Sequence, residues 1–397
     1  MKKKVLLAFS GGLDTTCCAI YLAKEKKLEV QTALVNTGGF SGEELKKIQK
    51  HACSLGVQKH YTLDETHNNY KECIRFLIYG NVLRGGVYPL SVSAERVFQA
   101  KAISLLAKKI KTDFVAHGST GAGNDQVRCD VIFNILIPGI KILTPIRDMK
   151  LSREEEIAFL KKHGVKMNFD KSLYSINKGL WGTSVGGQET LTSDKRLPEE
   201  AYPTQLSKTK EKELEIGFEK GELVSVNGKK FSYPVSAIQK VQKIASPFAI
   251  GRGIHVGDTI IGIKGRVGFE AAAPLIIIKA HAALEKHTLT KWQSYWKDQI
   301  SNWYGMMLHD GQFLDPVMRN MELFMENTQK NVTGTVKVLL APCRFSILGV
   351  NSKYDLMSSE FGQYGEMNNG WSGEDVKGFS KIISNQTMIW HRVNEEE

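Results

Sequence analysis

A β-rich run, Lys4–Phe9, ends in Ser10-Gly11-Gly12-Leu13-Asp14-Thr15, and helical spacing starts at once over Asp14–Lys26. A strand that turns on paired glycines straight into a helix constrains this chain more than any other stretch. Two glycines let the backbone approach a phosphate, and the helix N-terminus adds unpaired N–H groups and partial positive charge. Ser10 and Thr15 add hydroxyls, while Asp14 is placed to cap the helix and to help hold a magnesium ion. In an isolated loop the same letters would be a glycine turn with a capping aspartate. The strand before and the helix after make it a candidate phosphate loop. No G-x-x-x-x-G-K-[ST] is present, so the P-loop NTPase design is excluded.

The alternation continues. Val30–Asn36 is strand-like and ends at Gly38-Gly39; Glu43–Leu55 is helical and stops at Gly56. Phe98–Lys109 is helical, Phe114–His117 is a short strand before another glycine loop, and Ile140–Pro145 is a last strand. Ser152-Arg153-Glu154-Glu155 is a capping box opening a helix that ends at His163-Gly164. Strands alternating with helices predict an α/β fold: an N-terminal doubly wound parallel sheet over residues 1–165, with ligands at the carboxyl ends of its strands. Residues 166–232 are polar and rich in Gly, Ser, Thr and Pro, and Pro234–Ile244 looks helical. Residues 250–270 suggest strands with turns, a helical stretch carries Leu284, Trp292, Tyr295, Trp296, Trp303 and Tyr304, and Asn331–Val350 returns to strand character. We expect an α+β second domain over residues 166–356 and an extended tail over 357–397.

With 397 residues, 42% of them hydrophobic, the chain can bury a sizeable core. No run approaches the roughly 18 apolar residues of a membrane helix. Met1-Lys2-Lys3-Lys4 before Val5–Phe9 is too short for a secretory leader, because Ser10-Gly11-Gly12 interrupts it. The six cysteines form no C-x-x-C pair, which points to reduced thiols in the cytoplasm and away from zinc or dithiol chemistry. The net charge of +11 comes from scattered lysines with no aromatic stripe between them. That pattern suits a solvated surface with cationic pockets for small anions, rather than a nucleic-acid face.

The second glycine loop is the richer one. His117-Gly118-Ser119-Thr120-Gly121-Ala122-Gly123-Asn124-Asp125-Gln126-Val127-Arg128 packs an amide, a carboxylate and a guanidinium into five residues. An Arg fork suits a planar carboxylate, an Asp can hold an ammonium, and Thr120 and Asn124 add neutral donors. Such a set can hold an amino acid by both ends. His117 reads as a structural strand-end residue.

The first loop resembles the pyrophosphatase loop of the N-type ATP pyrophosphatases. The second is similar to the H-G-[AS]-T-G-x-G-N-D-Q-V-R segment of the argininosuccinate synthases. Tyr88-Pro89-Leu90 with Ser93 and Arg96 looks like that family's Y-x-L-x-x-S-x-x-R segment. Tyr174-Ser175-Ile176-Asn177 with Leu180-Trp181-Gly182-Thr183-Ser184 looks like its second citrulline loop. The resemblance is strong to about residue 185 and weaker beyond. It implies ATP-dependent ligation of citrulline and aspartate through a citrullyl-adenylate, with magnesium, in a homotetramer whose second domain serves synthesis and multimerisation. By position, ATP would contact Ala8, Phe9, Ser10, Gly11, Gly12, Leu13, Asp14, Thr15, Thr16, Val35 and Gly118. Aspartate would contact Thr120, Asn124 and Asp125; citrulline would contact Tyr88, Ser93, Asn124, Arg128, Ser175 and Ser184. Asp14, Asp125 and Arg128 are the expected catalytic residues.

The resemblance breaks at one place. Aligning Ile261-Gly262-Ile263-Lys264 with the family's I-G-M-K puts Gly257 where a glutamate is usual and Phe269 where a tyrosine completes the citrulline pocket. Val35 stands where the family has alanine. Either Asp258 takes over from the missing carboxylate, or the ureido substrate carries an acylated α-nitrogen. A tRNA-modifying ligase with the same first loop is the remaining enzyme rival, although neither catalytic cysteines nor an RNA-binding appendage is visible.

Overall fold

The computed structural model describes residues 2–167, 174–358, 364–365 and 370–395. The first sheet is parallel throughout, in the order β3-β2-β1-β4-β5. Its strands are β1 (Lys4–Ala8), β2 (Glu29–Asn36), β3 (Lys59–Asp64), β4 (Phe114–Ala116) and β5 (Lys141–Leu143). The helices that cross between them, or follow them, are α1 (Leu13–Lys24), α2 (Gly42–Ser54), α3 (Thr66–Asn69), α4 (Arg75–Tyr79), α5 (Ser91–Ile110), α6 (Asp125–Leu136), α7 (Pro145–Met149) and α8 (Arg153–Lys162). The strand order turns back between β1 and β4, which is the switch point where doubly wound sheets bind ligands.

Period-2 alternation in β1 explains the two layers. Val5 and Leu7 pack with Cys17, Cys18, Ile20 and Leu22 of α1 and Leu160 of α8. Leu6, Ala33 and Val35 face the other way, onto Val97, Phe98 and Ile103 of α5. Each fully buried aliphatic side chain contributes about 1.5–3 kcal/mol. The capping boxes at Ser41/Glu44 and Ser152/Glu155 start α2 and α8. Helix α5 begins seven residues earlier than its hydrophobic pattern suggests, because Ser91, Ser93 and Glu95 are buried polar residues rather than a surface turn.

The stretch read only as polar contains strands. A four-stranded antiparallel sheet runs β11-β12-β7-β6, built from β6 (Ser175–Gly179), β7 (Gly182–Gly186), β11 (Arg252–Asp258) and β12 (Lys264–Glu270). A five-stranded antiparallel sheet runs β10-β9-β8-β13-β14, built from β8 (Lys212–Glu219), β9 (Glu222–Val226), β10 (Lys229–Lys230), β13 (Gly334–Ala341) and β14 (Arg344–Asn351). Around them lie α9 (Pro234–Ala245), α10 (Ala272–Thr288), α11 (Lys291–His309) and α12 (Pro316–Thr328). One hydrophobic cluster runs from α5 through Trp181 and Phe218 to Ile276 and Val336.

Residues Tyr354–Glu397 form a separate unit. The expected extended tail is instead helical over α13 (Gly373–Ile383) and α14 (Asn385–Asn394), with 359–363, 366–369 and 396–397 outside the described residues. The signal was present: Ser372 and Asp375 form a capping box, and Val376, Phe379 and Ile383 follow at helical spacing. No helix among the described residues is long and apolar enough to cross a membrane. All six cysteines are free thiols; Cys17, Cys18, Cys73 and Cys129 are buried, Cys53 and Cys343 exposed.

Candidate active site

The chain leaves β1 at Ala8, buries Phe9, and turns at Gly11 with φ +78°. Gly12 precedes α1, and Leu13 begins it. Ser10 Oγ accepts from Gly12 N at 3.4 Å and lies 3.3 Å from Thr15 Oγ1, so both hydroxyls gather at the turn. Thr16 is buried and bonds His51 Nε2 at 2.9 Å, while the Phe9 ring stacks on His51 at 6.1 Å. Val35 lies buried on the neighbouring strand β2.

The expectation that Asp14 caps α1 is not met. Among the described residues no side chain caps this helix, and Asp14 lies inside its first turn, against Glu156 of α8. Burial pushes Asp14 above the usual carboxylate range. Burial and then the charge of Asp14 push Glu156 up to about 8. Glu156 is therefore held largely protonated at neutral pH, close to the start of α1. Both carboxyl groups are hard oxygen donors, and Glu156 Oε2 is buried without a hydrogen-bond partner among the described residues, so the pair fits a magnesium ion.

The second loop comes close to the first. A Cβ on Gly118 would lie 3.2 Å from the Asp14 carbonyl carbon and from Thr15 N, so a larger residue would have to push the two loops apart by a few tenths of an ångström. Beyond it, Gln126 Nε2 braces the loop by donating to the carbonyls of Gly121 (2.6 Å) and Gly123 (3.1 Å). Thr120 is exposed at the tip, and Asn124 Oδ1 accepts from Ile260 N at 2.9 Å, tying the β11–β12 turn to this loop. Asp125 opens α6 and accepts from Arg96 Nε and Arg128 Nη1, each at 2.8 Å. Burial raises its pKa, but the two guanidinium charges prevail and hold it at about 2. Arg128 Nε donates to His309 O at 2.8 Å, whereas its buried Nη2 has no partner among the described residues. His117 is buried and bonds Asp130 at 3.0 Å.

The remaining candidates meet on one face of the β11-β12-β7-β6 sheet. Ser184 pairs directly with Asn177 on one side and Phe269 on the other, and directly opposed residues share a face. Asn177 Oδ1 accepts from Arg96 Nη2 at 3.0 Å, joining this face to the Asp125 cluster. Phe269 packs its ring 5.3 Å from Tyr88, whose hydroxyl lies 3.5 Å from Ser93 Oγ. Ser175 sits on the same face but at the exposed end of the hairpin, opposite Gly186. Asp258 does not join the group: its carboxylate is 67% exposed and pairs with Lys264 Nζ at 2.5 Å.

Sequence comparison bears directly on this arrangement. Residues 4–166 match the arginosuccinate synthase N-terminal HUP domain, and residues 174–390 match the arginosuccinate synthase C-terminal domain. The argininosuccinate synthase of Methanocaldococcus jannaschii is 37% identical over 393 residues, covering 98% of both chains. Those of Dictyoglomus turgidum (37% over 391 residues, 98% of both chains) and Sulfurisphaera tokodaii (34% over 395 residues, 99% of this chain and 100% of the relative) are similarly close. This chain belongs to the argininosuccinate synthase family.

Several residues that pack around this arrangement carried little signal in the sequence. Arg96 was visible only as a motif letter, yet it clamps both Asp125 and Asn177. Glu156 looked like a first-turn helix acid. Glu95, His255 and Arg84 carried no local signal, because their partners come from other elements.

Proposed function

We propose that this chain joins L-citrulline to L-aspartate, splitting ATP to AMP and diphosphate, and so makes argininosuccinate for arginine biosynthesis. The observation that carries the reading is the contact of Gly118 with Asp14 and Thr15. It brings the phosphate turn and the Asn124–Arg128 cluster into one site at the switch point.

In this reading the ureido oxygen of citrulline attacks the α-phosphorus of ATP, and diphosphate leaves into the Ser10–Thr15 turn. The aspartate amine, its proton passing to a phosphate oxygen, then attacks the activated carbon and AMP departs. The N–H groups at the start of α1 and the Ser10 and Thr15 hydroxyls hold the phosphates, with Ala8 to Thr16, Val35 and Gly118 around the nucleotide. Thr120, Asn124 and Asp125 hold aspartate. Tyr88, Ser93, Asn124, Arg128, Ser175 and Ser184 hold citrulline against the Phe269 ring. The unpartnered Nη2 of Arg128 suits a substrate carboxylate. Asp125, ionised between two guanidiniums, orients its neighbours and is too weak a base to deprotonate the amine. No protein nucleophile is required: positioning and charge neutralisation carry the rate. Asp14, with Glu156 behind it, would hold a magnesium ion, which when bound neutralises phosphate charge.

Residues 1–165 would then serve the nucleotide, 166–356 synthesis and multimerisation, and 357–397 assembly. Exposed Trp292, Trp296 and Trp303 on α11, and Phe379, Ile382, Ile389 and Trp390 on α13 and α14, support burial between copies in a homotetramer. Free thiols support a reducing, cytoplasmic setting.

Diphosphate release from Mg-ATP and aspartate, with and without citrulline, tests the reading, with the product identified by mass. Citrulline-dependent release with argininosuccinate formed is expected. Release without citrulline, or none with it, overturns the proposal.

A further inference from the structure

Free citrulline presents an α-ammonium and an α-carboxylate, and the α-ammonium needs an acceptor. Gly257 offers no side chain, and Asp258 is engaged by Lys264. Two other polar atoms lie beside the packed Tyr88 and Phe269 rings. His255 is 8% exposed, and its Nε2 has no hydrogen-bond partner among the described residues. Its ring stacks on Tyr88 with centroids 5.4 Å apart and planes 15° from parallel. It also fills the space over Gly257, where a Cβ would lie 2.6 Å from Nε2. Strand alternation puts Gly253, His255 and Gly257 on one face, and a Cβ on Gly253 would lie 2.6 Å from the Phe269 ring. Arg84 lies alongside. Its Nη2 donates to Asp258 O at 3.1 Å, whereas its buried Nη1 has no hydrogen-bond partner among the described residues and lies 3.9 Å from Asp310 Oδ1.

The charge state of His255 decides what it can read. Burial and then the nearby Arg84 charge hold the imidazole below its ordinary value. A neutral imidazole keeps one ring nitrogen as an acceptor.

We propose that His255 Nε2 accepts a hydrogen bond from the α-ammonium of citrulline while Arg84 Nη1 donates to its α-carboxylate, a pair that reads the zwitterion where a carboxylate side chain is missing. The inference rests on the citrulline reading above. It explains why position 257 is glycine: any side chain there would collide with the imidazole that does the work.

Steady-state kinetics with citrulline, ATP and aspartate each varied test it, alongside Nα-acetylcitrulline, which lacks the ammonium. Wild type is expected to prefer citrulline to Nα-acetylcitrulline. His255→Ala is expected to raise the citrulline KM roughly ten- to a hundredfold, the span for a hydrogen bond to a charged group. The ATP and aspartate KM values are expected to stay within about twofold. The double variant H255A/G257E opens the space and adds a carboxylate, and is expected to regain most of the citrulline affinity. If His255→Ala does not fold, R84Q, expected to raise the citrulline KM alone, decides in its place. An unchanged citrulline KM, a general rise in all three, or Nα-acetylcitrulline used as well as citrulline overturns the proposal. Absence of citrulline-dependent diphosphate in wild type would instead overturn the parent reading.

Discussion

Thr37, just beyond β2, donates its hydroxyl to Glu95 Oε2 on α5 at 2.6 Å. Glu95 is 1% exposed, and Gly179 at the β6–β7 turn packs directly on its other oxygen. A Cβ on Gly38 would lie 2.9 Å from Leu180 Cβ. One buried carboxyl thus joins the end of β2 to the hairpin bearing Ser175 and Ser184.

Burial pushes Glu95 up to about 7 from 4.5, against the Thr37 hydrogen bond and the Arg96 charge. The unfolded chain ionises first, so the folded state holds the extra proton and stability falls as pH rises from about 4.5 to about 7. Glu95→Gln is expected to flatten the dependence of Tm on pH across that window. Glu95→Ala is expected to raise the KM of both ATP and citrulline. A Tm profile identical to wild type would show that the carboxyl ionises freely.

Burial and the Asp14 charge hold Glu156 protonated up to about pH 8. In the metal-free protein a further negative charge appears above it near the start of α1, so the Kd of metal-free ATP is expected to rise on the alkaline side. Glu156→Gln is expected to remove that rise, and Asp14→Asn to lower kcat by about a hundred- to a thousandfold, as loss of a transition-state charge partner does. Titration of metal-free ATP across alkaline buffers checks the first, and kcat with Mg-ATP the second.

Asp125 stays ionised down to about pH 2. Asp125→Asn is therefore expected to lower kcat/KM without changing the shape of its pH profile between about pH 5 and pH 8. Arg128→Leu is expected to cost about a hundredfold or more in kcat/KM, because it removes both the Asp125 clamp and the free Nη2. A shifted acid limb in Asp125→Asn would make Asp125 a titrating base after all.

Lys297 is 1% exposed; its Nζ lies 2.9 Å from Glu285 Oε2 and donates to Tyr79 O at 3.1 Å. Gln329 Nε2 donates to the other oxygen of Glu285 at 2.8 Å. Lys297→Met leaves a buried carboxylate without its cation and is expected to cost about 3–5 kcal/mol in urea unfolding. The double variant K297M/E285Q is expected to recover part of the loss.

Local chemistry by itself determined the parallel α/β domain, the phosphate turn and the Asn124–Arg128 cluster. Each is written in contiguous residues, where period-2 alternation, glycine pairs and capping boxes act over a few positions. Tyr88, Ser93 and Ser184 were legible as motif letters for the same reason. Only the tertiary structure decided which groups are shared between elements. Glu156 reaches Asp14 from α8, Arg96 reaches Asp125 from α5, and His255 covers Gly257 beside a tyrosine 167 positions away in the chain. Those residues look ordinary in one dimension. Their pKa values and unpaired atoms arise from burial and from neighbours supplied by strand pairing and sheet packing, and no local pattern encodes such neighbours.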